Sequence, residues 1–181
     1  MRYFFILPLT VLFSYCKCTQ PSANLKKEGT NTTELVVSQL VSSCPDDGKC
    51  TLRIENNKEL VLKTDGIGKL RYELIDNFNT SVVVFEYKRD VPEGVQDGSY
   101  REMVIFEINN TSTALKLTNS ELKTTKMLFG RFCYCKGYTG LYFVKEGTFD
   151  LVKSNDVLDF NLQFTITEVP QIINSIQTKN R

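Results

Sequence analysis

The sequence predicts an all-β fold, a single antiparallel β-sandwich of about eight to ten strands. Three observations carry this. Apolar and polar residues alternate with period two from Glu34 onward, turn-forming residues fall between these runs at hairpin spacing, and no long run repeats with a helical period. A closed barrel of lipocalin type is the alternative arrangement of the same strands.

The chain opens on MRYFFILPLTVLFSY, one basic residue followed by an apolar run from Phe4 to Phe13. That run suits a secretory signal and is too short to span a bilayer, so residues 1–15 read as a signal peptide. Leu-Phe-Ser-Tyr-Cys follows, similar to a bacterial lipobox, with Tyr15 where a small residue is usual. Cys16 is therefore the expected lipidation site, and cleavage at an ordinary signal-peptidase site is the alternative. Residues 16–33 are polar, with Pro, Gly and Ser and no apolar periodicity. They read as a lipid-anchored Cys and a flexible tether with a root-mean-square reach of roughly 20–25 Å. Cys18 lies in that tether with no obvious partner.

Residues 34–181 read as the β-domain. VLDFNLQFTIT is its clearest strand: Leu158, Phe160, Leu162, Phe164 and Ile166 face one way, and Asp159, Asn161, Gln163, Thr165 and Thr167 the other. Such alternation puts one face on a core and the other in water. Leu52/Ile54, Leu60/Leu62, Leu70/Tyr72/Leu74 and Phe149/Leu151 repeat the pattern. SVVVFEYK and REMVIFEI are apolar on both faces and read as interior strands. PDDGK, ENNKE, TDGIGK, IDNFN, NNTST, KGYTG and KSNDV supply the residues that tight turns need. PQIINSIQ fits either a short helix or an edge strand. Together the lipobox-like end, the tether and the β-domain resemble the small, uncharacterised β-rich envelope lipoproteins of the Bacteroidetes type. The resemblance implies a place in a bacterial cell envelope, on a membrane face left open, and transfers no functional residue.

Four cysteines lie in the β-domain: Cys44, Cys50, Cys133 and Cys135. In an oxidising compartment they are disulfide candidates. CPDDGKC carries Asp47-Gly48, which turns the chain back and sets Cys44 opposite Cys50. FCYC is harder to bridge, because an extended strand separates Cys133 and Cys135 by roughly 6.5–7 Å at Cα. A bulge or turn would close that gap, and cross-pairing of the two sets is the next possibility. A four-thiolate zinc knuckle normally shows C-x2-C spacing, which neither pair has.

The formal net charge is +1, from 22 basic and 21 acidic residues, with no basic stripe. Nothing here points to nucleic acid. The chain has no His, which removes Ser-His-Asp and Cys-His nucleophiles and His-ligated metal. No cofactor-binding fingerprint is present either, so the expectation is a non-enzyme without cofactor or metal, whose domain serves binding or assembly. Asp46 and Asp47 beside a glycine read as a turn rather than a calcium site. Tyr134, Tyr138 and Tyr142, in CYCKGYTGLYF, form a possible ligand platform for a sugar ring. Core packing and cross-strand pairing are the competing use of those rings. The expected partners are a membrane, through the N-terminal lipid, and a protein or saccharide left open. A calycin-like barrel around an apolar ligand is the alternative, and it requires an unfilled interior.

Overall fold

Two sheets face each other, and a separate hairpin covers the outer face of one of them. The structure is a computed structural model that describes residues 34–179; the expectations for the signal segment, Cys16, the tether and Cys18 lie outside the described residues. The first sheet contains β1 (Val36–Val37), β2 (Gln39–Leu40), β8 (Ala114–Thr118), β11 (Glu146–Ser154), β12 (Val157–Thr165) and β13 (Ser175–Lys179). Its order is β2-β13-β12-β11-β8, and β1 runs parallel to β12 with Val36 opposite Val157. The second sheet contains β3 (Gly48–Glu55), β6 (Thr80–Arg89), β7 (Tyr100–Asn109), β9 (Leu128–Cys133) and β10 (Gly140–Phe143), in the order β10-β9-β7-β6-β3. The hairpin is β4 (Lys58–Thr64) and β5 (Leu70–Asp76).

This is an all-β sandwich, and no sheet closes into a barrel. The barrel alternative fails for a packing reason. Alternate residues of β6, β7, β9, β11 and β12 meet between the sheets, and six phenylalanines fill that space: Phe85, Phe106, Phe129, Phe149, Phe160 and Phe164. Phe106 stands edge-on to Phe149 at 4.9 Å and to Phe160 at 5.4 Å between centroids. Each buried ring contributes about 2–3 kcal/mol of apolar burial.

The described residues form thirteen strands, more than the expected eight to ten, and the very short β1, β2 and β10 account for the excess. The two-faced runs become β6 and β7, the interior strands of the second sheet. Their second apolar face is explained by the hairpin: Leu60, Leu62, Leu70, Tyr72 and Leu74 pack on Val82, Val84, Met103, Ile105 and Leu128. PQIINSIQ forms no helix; its end enters β13, which lies between β12 and the two-residue β2. NSELKTT, in contrast, makes a 3-10 helix, Asn119–Thr125, opened by Glu121, whose carboxylate accepts the Thr118 N–H at 2.8 Å.

Turn chemistry sets the register. Asn155 and Asp156 both have positive φ, 48° and 63°, so KSNDV reverses β11 into β12 with the backbone twist that two-residue hairpins favour. Pro45 accepts the Gly48 N–H at 3.2 Å and closes the PDDG turn. A Cβ on Gly48 would stand 2.5 Å from the Lys88 carbonyl oxygen, so glycine lets β3 start against β6.

Candidate ligand-binding face

β9 stays paired as far as Cys133, opposite Tyr100 of β7, and the chain then bends at Tyr134. The bend shortens the Cys133–Cys135 Cα separation to 5.2 Å, and the two are joined as a disulfide. This is the turn that an extended FCYC lacked. The bridge leaves Tyr134 turned outward, 82% exposed. Cys44 and Cys50 form the other disulfide, with Cα atoms 5.7 Å apart, and both pack against the inter-sheet core. The four cysteines thus meet in two local pairs and not across the two sets.

Tyr134 edges an open groove of about 520 Å³ on the outer face of the second sheet, beyond the hairpin's cover. Glu86, Lys88, Arg101 and Phe132 also line it, together with Gln96, Asp97 and Ser99 of the β6–β7 loop. Arg101 lies 4.3 Å above the Phe132 ring and donates to Glu86 at 2.9 Å. The groove therefore offers an apolar floor, fixed charges of both signs and one free aromatic ring. That mixture suits a polar ligand with apolar faces, whether a peptide or a saccharide.

The three expected tyrosines do not share one surface. Tyr138 is half exposed, with the Arg131 guanidinium 5.7 Å from its ring. Tyr142 packs against the inter-sheet core, where burial pushes its phenol up. Only Tyr134 faces the groove. The alternation that directs Tyr142 inward also separates it from Tyr134.

Behind the groove, on the opposite face of the sheet, lies a polar cluster missed in the sequence. Cys50, Tyr87, Glu102 and Arg131 stand in one row across β3, β6, β7 and β9. Tyr87 donates its hydroxyl to Asp47 at 2.6 Å, and Arg89 pairs with the same carboxylate at 2.8 Å. The Tyr87 hydrogen bond, more than Arg89, holds the Asp47 carboxyl below its usual range. Asp47 is thus part of the sheet's end, which accounts for it without calcium. Arg89 lies 4.7 Å from the Tyr100 ring, and Arg131 donates through Nε to the Tyr100 hydroxyl oxygen at 3.3 Å.

Glu102 is fully buried. It accepts the Tyr100 hydroxyl and the N–H groups of Ile172 and Ile173, at 2.8 and 2.7 Å for the two amides. Desolvation, followed by the bond to Glu102, pushes the Tyr100 phenol up to about 12. Alternation could have flagged Glu102, since an acid at an inward position needs partners, but the partners come from some 70 residues away. No protein-family model, curated protein or solved structure matches this chain.

Proposed function

We propose that this chain is a non-enzymatic, lipid-anchored binding or assembly module of a bacterial cell envelope, and that it meets a polypeptide partner through the Tyr134 face. The observation that carries the reading is Tyr134 itself: an aromatic ring held outward by a disulfide-closed turn at the rim of a groove with charges of both signs. Tyrosine and arginine beside an apolar floor are the residues that dominate protein interfaces. The use of the acids supports a non-catalytic role. Glu102 is saturated by three donors, Glu107 by Leu60 N–H and Lys126, and Asp47 by Tyr87 and Arg89. Acids tied to backbone and structural partners are poorly placed to trade protons with a substrate.

Two experiments test the two parts. Replacing Cys16 with Ser should abolish fatty-acid labelling and release the protein from membranes; a labelled, membrane-bound variant would show the anchor to be elsewhere. A photo-crosslinking residue at position 134 should capture one defined polypeptide in intact cells, whereas the same residue at exposed Val152 on the other sheet should not. Equal capture at both positions would remove the Tyr134 face from the reading.

A further inference from the structure

The two disulfides sit in different surroundings. Cys44–Cys50 packs against the core and closes the PDDG turn. Cys133–Cys135 spans a single residue, so it constrains the unfolded chain very little and has small value as a staple. The β9–β10 hairpin is closed without it. Tyr138 donates its N–H to the Cys135 carbonyl at 3.1 Å, Thr139 donates its hydroxyl to the Arg131 carbonyl at 3.2 Å, and pairing runs from Gly140–Arg131 to Phe143–Leu128. A bridge the fold does not need can open and close while the domain stays folded.

Its surface is also accessible. Cys133, Tyr134, Cys135, Lys136 and Thr139 line an open depression of about 470 Å³, with Tyr134 as its aromatic wall. Lys136 follows Cys135 directly, and a neighbouring ammonium favours a thiolate over a thiol. We propose that Cys133–Cys135 is a thiol–disulfide exchange site, which takes the dithiol of an extended polypeptide laid against Tyr134.

The exchange balances as follows. A partner thiolate attacks Cys133 Sγ; the Cys133–Cys135 bond breaks, and its electron pair leaves on Cys135 Sγ, next to Lys136 in the sequence, and that sulfur takes up a proton. The partner's second thiolate then attacks the partner sulfur of the mixed disulfide and displaces Cys133, which takes up the second proton. Two electrons and two protons have moved from the partner dithiol to the cysteine pair, and the partner holds the new disulfide. The site is a stoichiometric exchange partner, compatible with assembly. Its docking half rests on the reading of the Tyr134 face, and its exchange half does not.

The test uses the full chain, reacted with dithiothreitol and then alkylated for mass analysis. Cys133–Cys135 should open at least about tenfold faster than Cys44–Cys50, with the β-sheet circular dichroism unchanged. Equal rates, or opening only with loss of the sheet signal, would overturn the proposal. With glutathione disulfide as probe, Cys133→Ser (free Cys135) should form the mixed disulfide about tenfold faster than Cys135→Ser (free Cys133). The reverse order would refute Cys135 as the better leaving group, and with it the assigned point of attack; if either variant misfolds, the dithiothreitol comparison on the unaltered protein still tests the exchange site. An unstructured two-cysteine peptide should be oxidised by the protein, and Tyr134→Ala should slow this reaction by a larger factor than it changes opening by dithiothreitol. An equal factor on both reactions, or no effect on the peptide reaction, would rule out docking on Tyr134 while leaving the exchange chemistry to the first arm.

Discussion

Glu102 should be the most sensitive single position in the domain. It occupies an inward site of β7, in line with Val104, Phe106 and Ile108, where an unpartnered carboxylate would be heavily penalised. It is tolerated because three donors converge on it: the Tyr100 hydroxyl and the Ile172 and Ile173 amides. Glu102→Gln keeps the shape but replaces one acceptor oxygen with a donor. The best rotamer leaves at least one buried N–H facing an NH2 group and weakens the rest from charged to neutral bonds. At about 1.5–3 kcal/mol per charge-assisted bond and about 1–3 for an orphaned amide, the loss should be about 2–4 kcal/mol. Glu102→Ala strands all three donors and should lose about 4–5 kcal/mol, near the whole stability of many domains. Urea unfolding followed by circular dichroism measures both, at unchanged m-value. Amide exchange supplies a second readout: Ile172 and Ile173 should lose protection before the sheets do. A Gln variant within about 1 kcal/mol of the parent, with those two amides still protected, would show that the segment is held by Ile173 packing and not by the carboxylate.

Other positions give sharper but smaller tests. Lys126 joins Glu59 and Glu107 at 3.2 and 2.9 Å, so Lys126→Ala should loosen the β4–β5 hairpin and cost about 1–3 kcal/mol, seen as faster exchange of the Leu60 amide; unchanged exchange would assign the hairpin to apolar packing alone. Gly48→Ala forces a Cβ onto the Lys88 carbonyl and should cost about 1–3 kcal/mol in urea unfolding, with a neutral result refuting the close approach. Tyr100 ionises at about 12 in the folded state, against 10.0 for an ordinary phenol. Its neutral form is the one folding favours, so its contribution is complete below pH 10 and fades as the pH rises toward 12, because the unfolded chain releases the proton first. Ultraviolet titration should show a late-titrating phenol that Tyr100→Phe removes; an unaltered curve in that variant would refute the assignment.

What the sequence shows and what it hides both follow from strand geometry. Period two states which face a side chain takes, so Leu158, Phe160, Leu162 and Phe164 could be placed on a core before any partner was known. It does not state what lies across that core. The apolar double face of SVVVFEYK therefore signalled a second covering layer without identifying β4–β5 as the cover. The same blindness hid the polar cluster, since Glu102 and Ile173 meet across 71 residues. The turn at Tyr134 was a local question with two local answers, and the bend decided it.

β7 shows how the layers are coupled. Its two acids, Glu102 and Glu107, are five residues apart in REMVIFEI and so point to opposite faces. Glu102 looks into the inter-sheet core and holds the Ile172–Ile173 backbone; Glu107 looks outward and holds Leu60 N–H and Lys126. One central strand thus ties down a segment on each side through a carboxylate that apolar packing alone would exclude. Apolar contacts tolerate sliding between layers, whereas a carboxylate aimed at particular amides does not, so these two residues fix where the outer layers sit. The Tyr134 groove opens on the Glu107 face of the sheet, and its Phe132 packs against the same apolar cluster as the hairpin that Glu107 holds.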